Sequence, residues 1–271
     1  MKKKMISSIL DQRAKRETQV QFVKSDLEPS EEVLEISKRI EDDYTNTELW
    51  MDKGIALSKQ MLFKEAIDAF SMGLSFNPFH SLSYRYRGHR FISTYEFKQA
   101  IADLVLATRL DDMNWDSWYH LGLAYYLDGN FEKAYVAYKR CLELTDAGSE
   151  HLVAVIDWMY LTLMRLGKNN EAVKLIEKVN EETPSGENFV YQDRILMYKG
   201  EKNPDEVLNI DDQDLSDLEL ATLGYGVAMH HYFNGNESRT FEIFDKLLEN
   251  DSYWSAFGYI AAFVDNKRLR S

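Results

Sequence analysis

The fold is decided by residues 118–138, which read Trp118-Tyr-His-Leu-Gly-Leu-Ala-Tyr-Tyr-Leu-Asp-Gly-Asn-Phe-Glu-Lys-Ala-Tyr-Val-Ala-Tyr138. Outward from this stretch, similar residue types recur at intervals of 34. The recurring columns are Trp50, Tyr84 and Trp118; Gly54, Gly88 and Gly122; Ala66, Ala100 and Ala134; Phe70, Leu104 and Tyr138; and Gly73, Ala107 and Cys141. A fixed period of this length is the sequence signature of a repeat protein, in which one supersecondary unit is stacked several times.

The stretch from Trp118 to Tyr138 resembles the tetratricopeptide consensus almost residue for residue. The first repeat matches the same columns and ends at Pro78, although Lys53 replaces the usual leucine. The resemblance implies an all-α chain, folded as a right-handed superhelical solenoid of helix-turn-helix repeats with terminal capping helices. Each unit of two antiparallel helices buries its apolar face only against the next unit, so the units must stack.

The repeat register predicts a mobile or weakly docked N-terminal arm at residues 1–28 and a single solenoid at residues 29–271. The solenoid is predicted to contain a half repeat at 30–46, repeats at 47–80, 81–114, 115–148 and 153–186, a degenerate repeat at 187–215, a repeat at 216–252 and a capping helix at 253–269. Three helix starts are indicated by their caps: Ser30, Asn203 before Pro204, and Ser216 with Glu219 three residues later.

Composition restricts the classes of function. The chain has 32 Lys and Arg against 45 Asp and Glu, and this net charge of −13 argues against nucleic acid or an anionic membrane as a partner. No stretch approaches the roughly 18 apolar residues that a membrane helix needs, and the apolar run at residues 5–10 is too short for a secretory signal. Cys141 is the only cysteine, so no internal disulfide forms. We therefore expect a cytoplasmic protein.

Three sequence features that carry chemistry in other proteins have simpler structural explanations here. Gly224-Tyr-Gly226 lacks the third glycine and the preceding strand of a dinucleotide loop. His230 and His231 are neighbours on a helix and point about 100° apart, so they do not converge on a metal ion. Cys141 fills a small core column, and the sequence shows no activating base for it. The sequence thus indicates no cofactor, no metal and no enzyme.

The resemblance also implies where a ligand binds, because the first helix of each tetratricopeptide repeat lines the concave groove. The groove positions of this chain form a polar and aromatic set: Arg85, His89, Tyr119, His120, Tyr126, Asp157, Trp158, Arg165, Arg194, Tyr225, Met229 and Tyr232. A solvated groove in an acidic protein more often carries Glu, Lys and Ser, so this set favours a binding surface. The alternative is that the same side chains serve packing.

The arginines of the second repeat divide into two pairs. Arg85 and His89 lie four residues apart and share a helix face, beside the predicted positions of Tyr119 and His120. This patch favours a partner with an acidic side chain or a carboxylate, because arginine grips a carboxylate through two parallel hydrogen bonds. Arg87 and Arg90 point elsewhere and are predicted to make structural ion pairs or to cap carbonyl groups.

The blocks at residues 84–90, 118–126, 221–227 and 257–262 resemble those of a bacterial tetratricopeptide family that has no assigned function. The Lys and Asn clamp of the chaperone-binding tetratricopeptide proteins is absent from the matching positions. The favoured hypothesis is a non-enzymatic interaction module or scaffold that binds an extended peptide or partner tail in the groove. A small-molecule or enzymatic site built from the His, Arg and Tyr residues and a self-assembling scaffold are the alternatives, and the oligomeric state is left open.

Overall fold

The computed structural model of the chain describes residues 27–210, 212, 216–249 and 253–270. Within these ranges every regular element is helical, which confirms the predicted all-α class. The chain divides into two compact units, the first ending at Ala124 and the second starting at Tyr125. Most of the predicted N-terminal arm, residues 1–26, lies outside the described residues.

Unit 1 is built from consecutive antiparallel helices, each of which packs on the next as far as α5. The helices are α1 (Glu31–Asp42), α2 (Thr47–Lys59), α3 (Phe63–Phe76), α4 (Ser81–Ser93), α5 (Phe97–Leu110) and the first part of α6 (Trp115–Asp128). In the predicted repeats, α2, α4 and α6 are first helices, whereas α3 and α5 are second helices. The groove positions of unit 1 therefore lie on α4 and α6.

In its described residues, unit 2 contains the end of α6, eight further α-helices and a short 3-10 helix at Gly186–Asn188. The eight α-helices are α7 (Phe131–Glu143), α8 (Leu152–Arg165), α9 (Asn169–Ile176), α10 (Phe189–Lys199), α11 (Pro204–Val207), α12 (Asp217–Phe233), α13 (Glu237–Glu249) and α14 (Phe257–Arg270). The short α11 lies in the second half of the degenerate repeat that was predicted at residues 187–215. None of the helices in the described ranges combines the length and apolar character that crossing a lipid bilayer requires.

The three predicted helix caps are confirmed. The Ser30 side chain accepts a hydrogen bond from the backbone N–H of Val33 at 3.3 Å, so α1 begins with one of its free donors satisfied. Asn203 and Ser216 each form a reciprocal capping box with the glutamate three residues later. These local interactions fix the starts of helices whose apolar faces then set their packing.

The glycine column sets the distance between the two helices of a repeat. A Cβ atom on Gly54 would overlap the ring of Phe70, and one on Gly88 would lie 2.7 Å from Cγ of Leu104. The partner column of Ala66, Ala100 and Ala134 is completely buried. Larger side chains in either column would push the paired backbones apart.

A further column lies in the turn inside each repeat and requires left-handed backbone. Gly129 has φ of 85° in the third repeat, and Gly167, Gly200 and Gly235 adopt similar values in later units. The first two repeats place Met61 and Tyr95 there, with φ of 61° and 62°. A side chain in this region costs roughly 1–2 kcal/mol, so the turn geometry is imposed by packing of the helices on either side.

We expect Gly88→Ala to lower the free energy of unfolding by up to about 2 kcal/mol, because roughly 1–3 kcal/mol of overpacking is offset by only about 1 kcal/mol of helix propensity. In a Leu104→Ala background the new methyl group has room, so the loss disappears. Urea denaturation of the wild type, Gly88→Ala, Leu104→Ala and the double variant measures the coupling energy between the two positions. Gly148→Ala is the matched control, since a Cβ there meets no atom within 4 Å. An equal loss in both backgrounds would contradict the proposed contact.

Candidate functional site

Five side chains of unit 1 converge between α4 and α6, and we call them the α4–α6 cluster: Arg85, His89, Asp116, Tyr119 and His120. Arg85 forms an ion pair with Asp116, and Nδ1 of His120 lies 2.9 Å from the other carboxylate oxygen. The rings of His89 and His120 are 4.3 Å apart between centroids. The structure therefore brings together the four groove residues that the sequence predicted for unit 1 and adds Asp116 to them.

Charge in the α4–α6 cluster is compensated internally. Burial alone would raise the pKa of Asp116, but the charges and hydrogen bonds of His120 and Arg85 outweigh it and lower that pKa to about 2. Burial lowers the pKa of His89 well below 6.5, and the charges of Arg90, His120 and Arg85 lower it further. Asp116 is thus ionised and His89 is neutral at pH 6.5, so His89 offers no positive charge to a partner at that pH.

Aromatic surface adjoins the cluster. Trp115 and Tyr119 stack with ring centroids 5.1 Å apart, and the Arg85 guanidinium lies 4.5 Å from the Tyr86 ring centroid. Tyr119 and His120 are buried, whereas Arg85, His89 and Trp115 keep part of their surface exposed. The face accordingly combines hydrogen-bonding groups with apolar area, which is the composition of sites that hold polypeptide segments.

The other two arginines of α4 have structural contacts. Arg87 binds the carboxylate of Asp103 through two hydrogen bonds of 2.6 and 2.8 Å and also donates to Ser71. The prediction of a structural ion pair is correct for Arg87. Arg90 instead lies over the ring of Phe63, 4.6 Å from its centroid, where the cation faces the negative face of the aromatic ring.

In unit 2 the structure places most predicted groove residues in the interior. The buried ones are Tyr126, Asp157, Trp158, Arg194, Tyr225 and Met229. Trp158 and Tyr225 stack with centroids 5.8 Å apart, and Tyr126 meets the edge of Trp158 at 5.4 Å. The first helices of this unit thus pack their groove positions against each other, and a segment laid on the surface would not reach these side chains.

A carboxylate of the terminal helix organises this interior. Asp265 on α14 accepts a 2.7 Å hydrogen bond from the Tyr225 hydroxyl and pairs with Arg165 at 3.0 Å and Arg268 at 2.6 Å. The Tyr126 hydroxyl lies 2.6 Å from that of Tyr225 and donates to it, because the Tyr225 proton is directed to Asp265. Four helices, α6, α8, α12 and α14, therefore share one polar network.

Arg268 extends this network along α14. Its second guanidinium nitrogen donates to the carbonyl of Leu127 near the end of α6, at 2.9 Å. Arg165 lies over the ring of Phe131, 4.6 Å from the centroid. Both Arg165 and Arg268 contact groups within unit 2. Arg165 is therefore part of the polar network and is not available at the surface.

A second buried ion pair joins α8 to α10. Asp157 and Arg194 are 2.7 Å apart and nearly inaccessible to solvent. Arg194 also donates to the Tyr198 hydroxyl and to the carbonyl of Thr222, each at 3.2 Å. Burial raises the pKa of Asp157 to about 6, although Arg194 and Tyr198 favour its charged form. Ionised Asp157 therefore costs folding free energy near neutral pH.

The last groove residue, Tyr232, lies near the C-terminal end of α12, is partly exposed and contacts Phe233 edge to face. Sequence reasoning missed the roles of Asp116 and Asp265. For Asp265 a signal existed: it is the one acidic residue in the helix Phe257–Arg270 and follows the apolar block at 257–262.

Comparison with known proteins supports the repeat assignment. Residues 115–144, which contain α6 and α7, match the family model described as tetratricopeptide repeat. No curated protein matches the chain significantly. The third predicted repeat is thus recognised as a tetratricopeptide repeat.

Solved structures of tetratricopeptide proteins resemble the chain at low identity. YrrB, described as a TPR protein with an unusual peptide-binding site, is 16% identical, with 82% of this chain and 95% of that chain covered and a TM-score of 0.51. MamA from Desulfovibrio magneticus RS-1 is 18% identical, with 65% and 92% covered and the same TM-score of 0.51. At these identities the likeness shows the fold alone, which is a helical solenoid of tetratricopeptide-like repeats.

We expect Asp157→Asn to become more stable relative to the wild type, by about 1 kcal/mol, as the pH rises from 5 to 7. The folded-state pKa of about 6 lies above the ordinary 3.8, so the folded protein binds the extra proton between these values and loses stability as the pH rises. The asparagine side chain of the variant does not titrate, so the variant lacks this loss of stability. Urea denaturation at pH 5, 6 and 7 measures the difference.

Asp116→Asn is the matched control for this measurement. The folded-state pKa of Asp116 is about 2, below the ordinary 3.8, so its contribution is complete above about pH 5 and is lost only as the pH falls toward 2. The stability difference between this variant and the wild type is expected to stay constant from pH 5 to 7. Parallel pH profiles for both variants would refute the assignment for Asp157.

Proposed function

We propose that this tetratricopeptide-repeat chain is a non-enzymatic protein-interaction module that holds an extended segment of a partner protein against the α4–α6 cluster of unit 1. The observation that carries the proposal is the convergence of Arg85, Asp116 and His120, with Trp115 and Tyr119 beside them, on the first helices of neighbouring repeats. Such a face offers donors, acceptors and rigid aromatic area within one short span.

The adjoining first helix extends this face with apolar side chains. Met51 and Ile55 of α2, together with Tyr86 of α4, are partly buried and pack against the core of unit 1. Met51 and Ile55 are four residues apart and so lie on one side of α2. We infer that the polar cluster fixes the register of the partner segment and that the α2 side chains contact its apolar residues.

The corresponding positions in unit 2 support placing the site in unit 1. There the groove residues are buried against each other and against α14, as the stacking of Trp158 on Tyr225 illustrates. Peptide binding is stated for YrrB, which shares the fold at 16% identity. That likeness favours an interaction role in general, but it does not identify the binding residues of this chain.

An acid–base site is the alternative that the α4–α6 cluster itself raises, because an Asp–His contact of 2.9 Å is a common catalytic arrangement. Three observations favour the interaction module. His120 is buried, His89 is held neutral near pH 6.5, and Asp116 is engaged by Arg85. We place the module in the cytoplasm, which suits a chain whose single thiol, Cys141, is buried in the small-residue column.

A preference for acidic partners follows from the chemistry of Arg85, with one condition. A partner carboxylate must displace Asp116, which already pairs with that guanidinium. The Arg85–Asp116 ion pair of the free protein competes with the ion pair that the partner forms. The binding free energy therefore contains only the difference between the energies of these two ion pairs. Removing the Asp116 charge should therefore strengthen the binding of an acidic partner, whereas removing Arg85 should weaken that binding.

We expect Arg85→Ala to weaken binding of the native partner tenfold to a hundredfold, in the range of interface residues that dominate affinity. The partner is first obtained by affinity capture with the full chain and mass spectrometry, and affinities are then measured by calorimetric titration. Asp116→Asn is expected to raise the affinity for an acidic partner segment. Arg109→Ala, an exposed arginine on α5, is the matched control.

Circular dichroism and urea denaturation of each variant show whether it remains folded. If Arg85→Ala and Arg109→Ala both bind as the wild type does, the partner does not use the α4–α6 cluster. If Arg85→Ala weakens binding but Asp116→Asn weakens it equally, the ion pair itself is recognised and the preference for a carboxylate is wrong.

A further inference from the structure

A second surface with binding character lies on unit 2, between α7, α8 and α9. It is an open groove of about 460 Å³, which we call the α7–α9 groove. Its floor is apolar and consists of Leu142 from α7, Met159 and Leu163 from α8, and Leu175 from α9. Clefts of this size and composition are typical of sites that take up apolar groups. No residue of the α4–α6 cluster contributes to it.

The rim of the α7–α9 groove carries positive charge that no ion pair with the described residues compensates. Lys139, Lys174 and Lys178 line the groove and are exposed, and none of them forms an ion pair with the described residues. The rim glutamates, by contrast, have partners. Glu171 accepts a hydrogen bond from Tyr135 and pairs with Lys168 at 3.6 Å, and Glu143 pairs with Arg140 at 3.3 Å.

This pattern is unusual for the chain as a whole, which has 13 more acidic than basic residues. The three lysines, which form no ion pair with the described part of the chain, and the apolar floor beside them complement a ligand that is apolar on one side and negatively charged on its edges. We propose that the α7–α9 groove docks a short acidic amphipathic segment of a partner protein, with apolar side chains on the floor and Asp or Glu side chains against Lys139, Lys174 and Lys178.

The arrangement of the floor fits such a segment. Met159 and Leu163 are four residues apart on α8 and therefore form a row along the groove. An amphipathic helix presents apolar side chains at the same spacing, and laying one into a groove between helices is a recurring mode of peptide recognition. The N-terminal segment of this chain does not suit the groove, because residues 1–16 carry six Lys or Arg and one Asp.

The test uses a random 15-residue peptide library panned on the full chain. We expect enriched sequences that combine Leu, Ile, Phe or Met with Asp or Glu, and we expect some of them to depend on the α7–α9 groove. Fluorescence anisotropy of a labelled peptide is then compared between the wild type and the variant Lys139→Glu/Lys174→Glu/Lys178→Glu. The groove variant is expected to bind at least tenfold more weakly.

A charge-matched control separates the groove from the net charge of the protein. The variant Lys38→Glu/Lys98→Glu/Lys267→Glu changes three exposed lysines outside the groove and shifts the net charge equally. It is expected to bind like the wild type. Leu142→Asn tests the contribution of the apolar floor to binding without changing the charge. Because Leu142 is only partly buried, we expect the fold to tolerate this substitution. We expect this variant to weaken binding as well.

Several outcomes would overturn the proposal. Equal losses in both triple variants would show that net charge, not the groove, attracts the peptides. If the enriched peptides lack acidic residues, or if no peptide is enriched, the proposal of an acidic amphipathic ligand is wrong. If light scattering shows that the chain self-associates and that the groove variant abolishes this, the groove is occupied by a second copy of the chain rather than by a partner protein.

Discussion

The close approach of paired helices at the glycine and alanine columns is the constraint on which the rest of the structure depends. Where Gly54 faces Phe70 and Gly88 faces Leu104, no space remains for even one added carbon atom. This contact fixes the distance between the two helices of a repeat and thereby the width of the face that each repeat presents to its neighbour. The left-handed turns at Met61 and Tyr95 show how strongly packing dominates, because local backbone preference opposes them.

The same repeat plan produces two different inner faces. In unit 1 the groove positions carry Arg85, His89 and Tyr119, whose polar groups meet at the boundary between α4 and α6. In unit 2 the groove positions carry the aromatic residues Tyr126, Trp158 and Tyr225 together with Asp157 and Arg194, and these side chains are buried between the helices. A polar interior of this kind is stable only when its charges and hydrogen-bonding groups are matched, since removing one partner of a buried pair leaves an uncompensated charge. Asp265 and Asp157 supply those matches.

The sequence was sufficient for the fold class and for most features that act locally. The 34-residue period, the caps at Ser30, Asn203 and Ser216, and the structural role of Arg87 are each determined by residues near in sequence or by a repeated column. The candidate site was predicted only in part. The register located Arg85, His89, Tyr119 and His120 on facing helices, but it could not show that Asp116 neutralises Arg85.

The burial of Tyr126, Trp158 and Tyr225 depends on contacts between different repeats, up to 99 positions apart for Tyr126 and Tyr225, which a single repeat does not encode. The sequence also gave no sign of the α7–α9 groove, since a groove between helices depends on their packing and not on a motif.

Charge compensation explains why the two proposed surfaces differ in kind. All three arginines on the groove positions are already engaged: Arg85 by Asp116, Arg165 by Asp265 and Arg194 by Asp157. These cations stabilise the chain's own structure, so a ligand gains from them only by competing with an existing carboxylate. Lys139, Lys174 and Lys178 have no such competitor among the described residues. In the two proposals, an acidic ligand binds the α7–α9 groove without displacing a described carboxylate, whereas at the α4–α6 cluster it must replace Asp116.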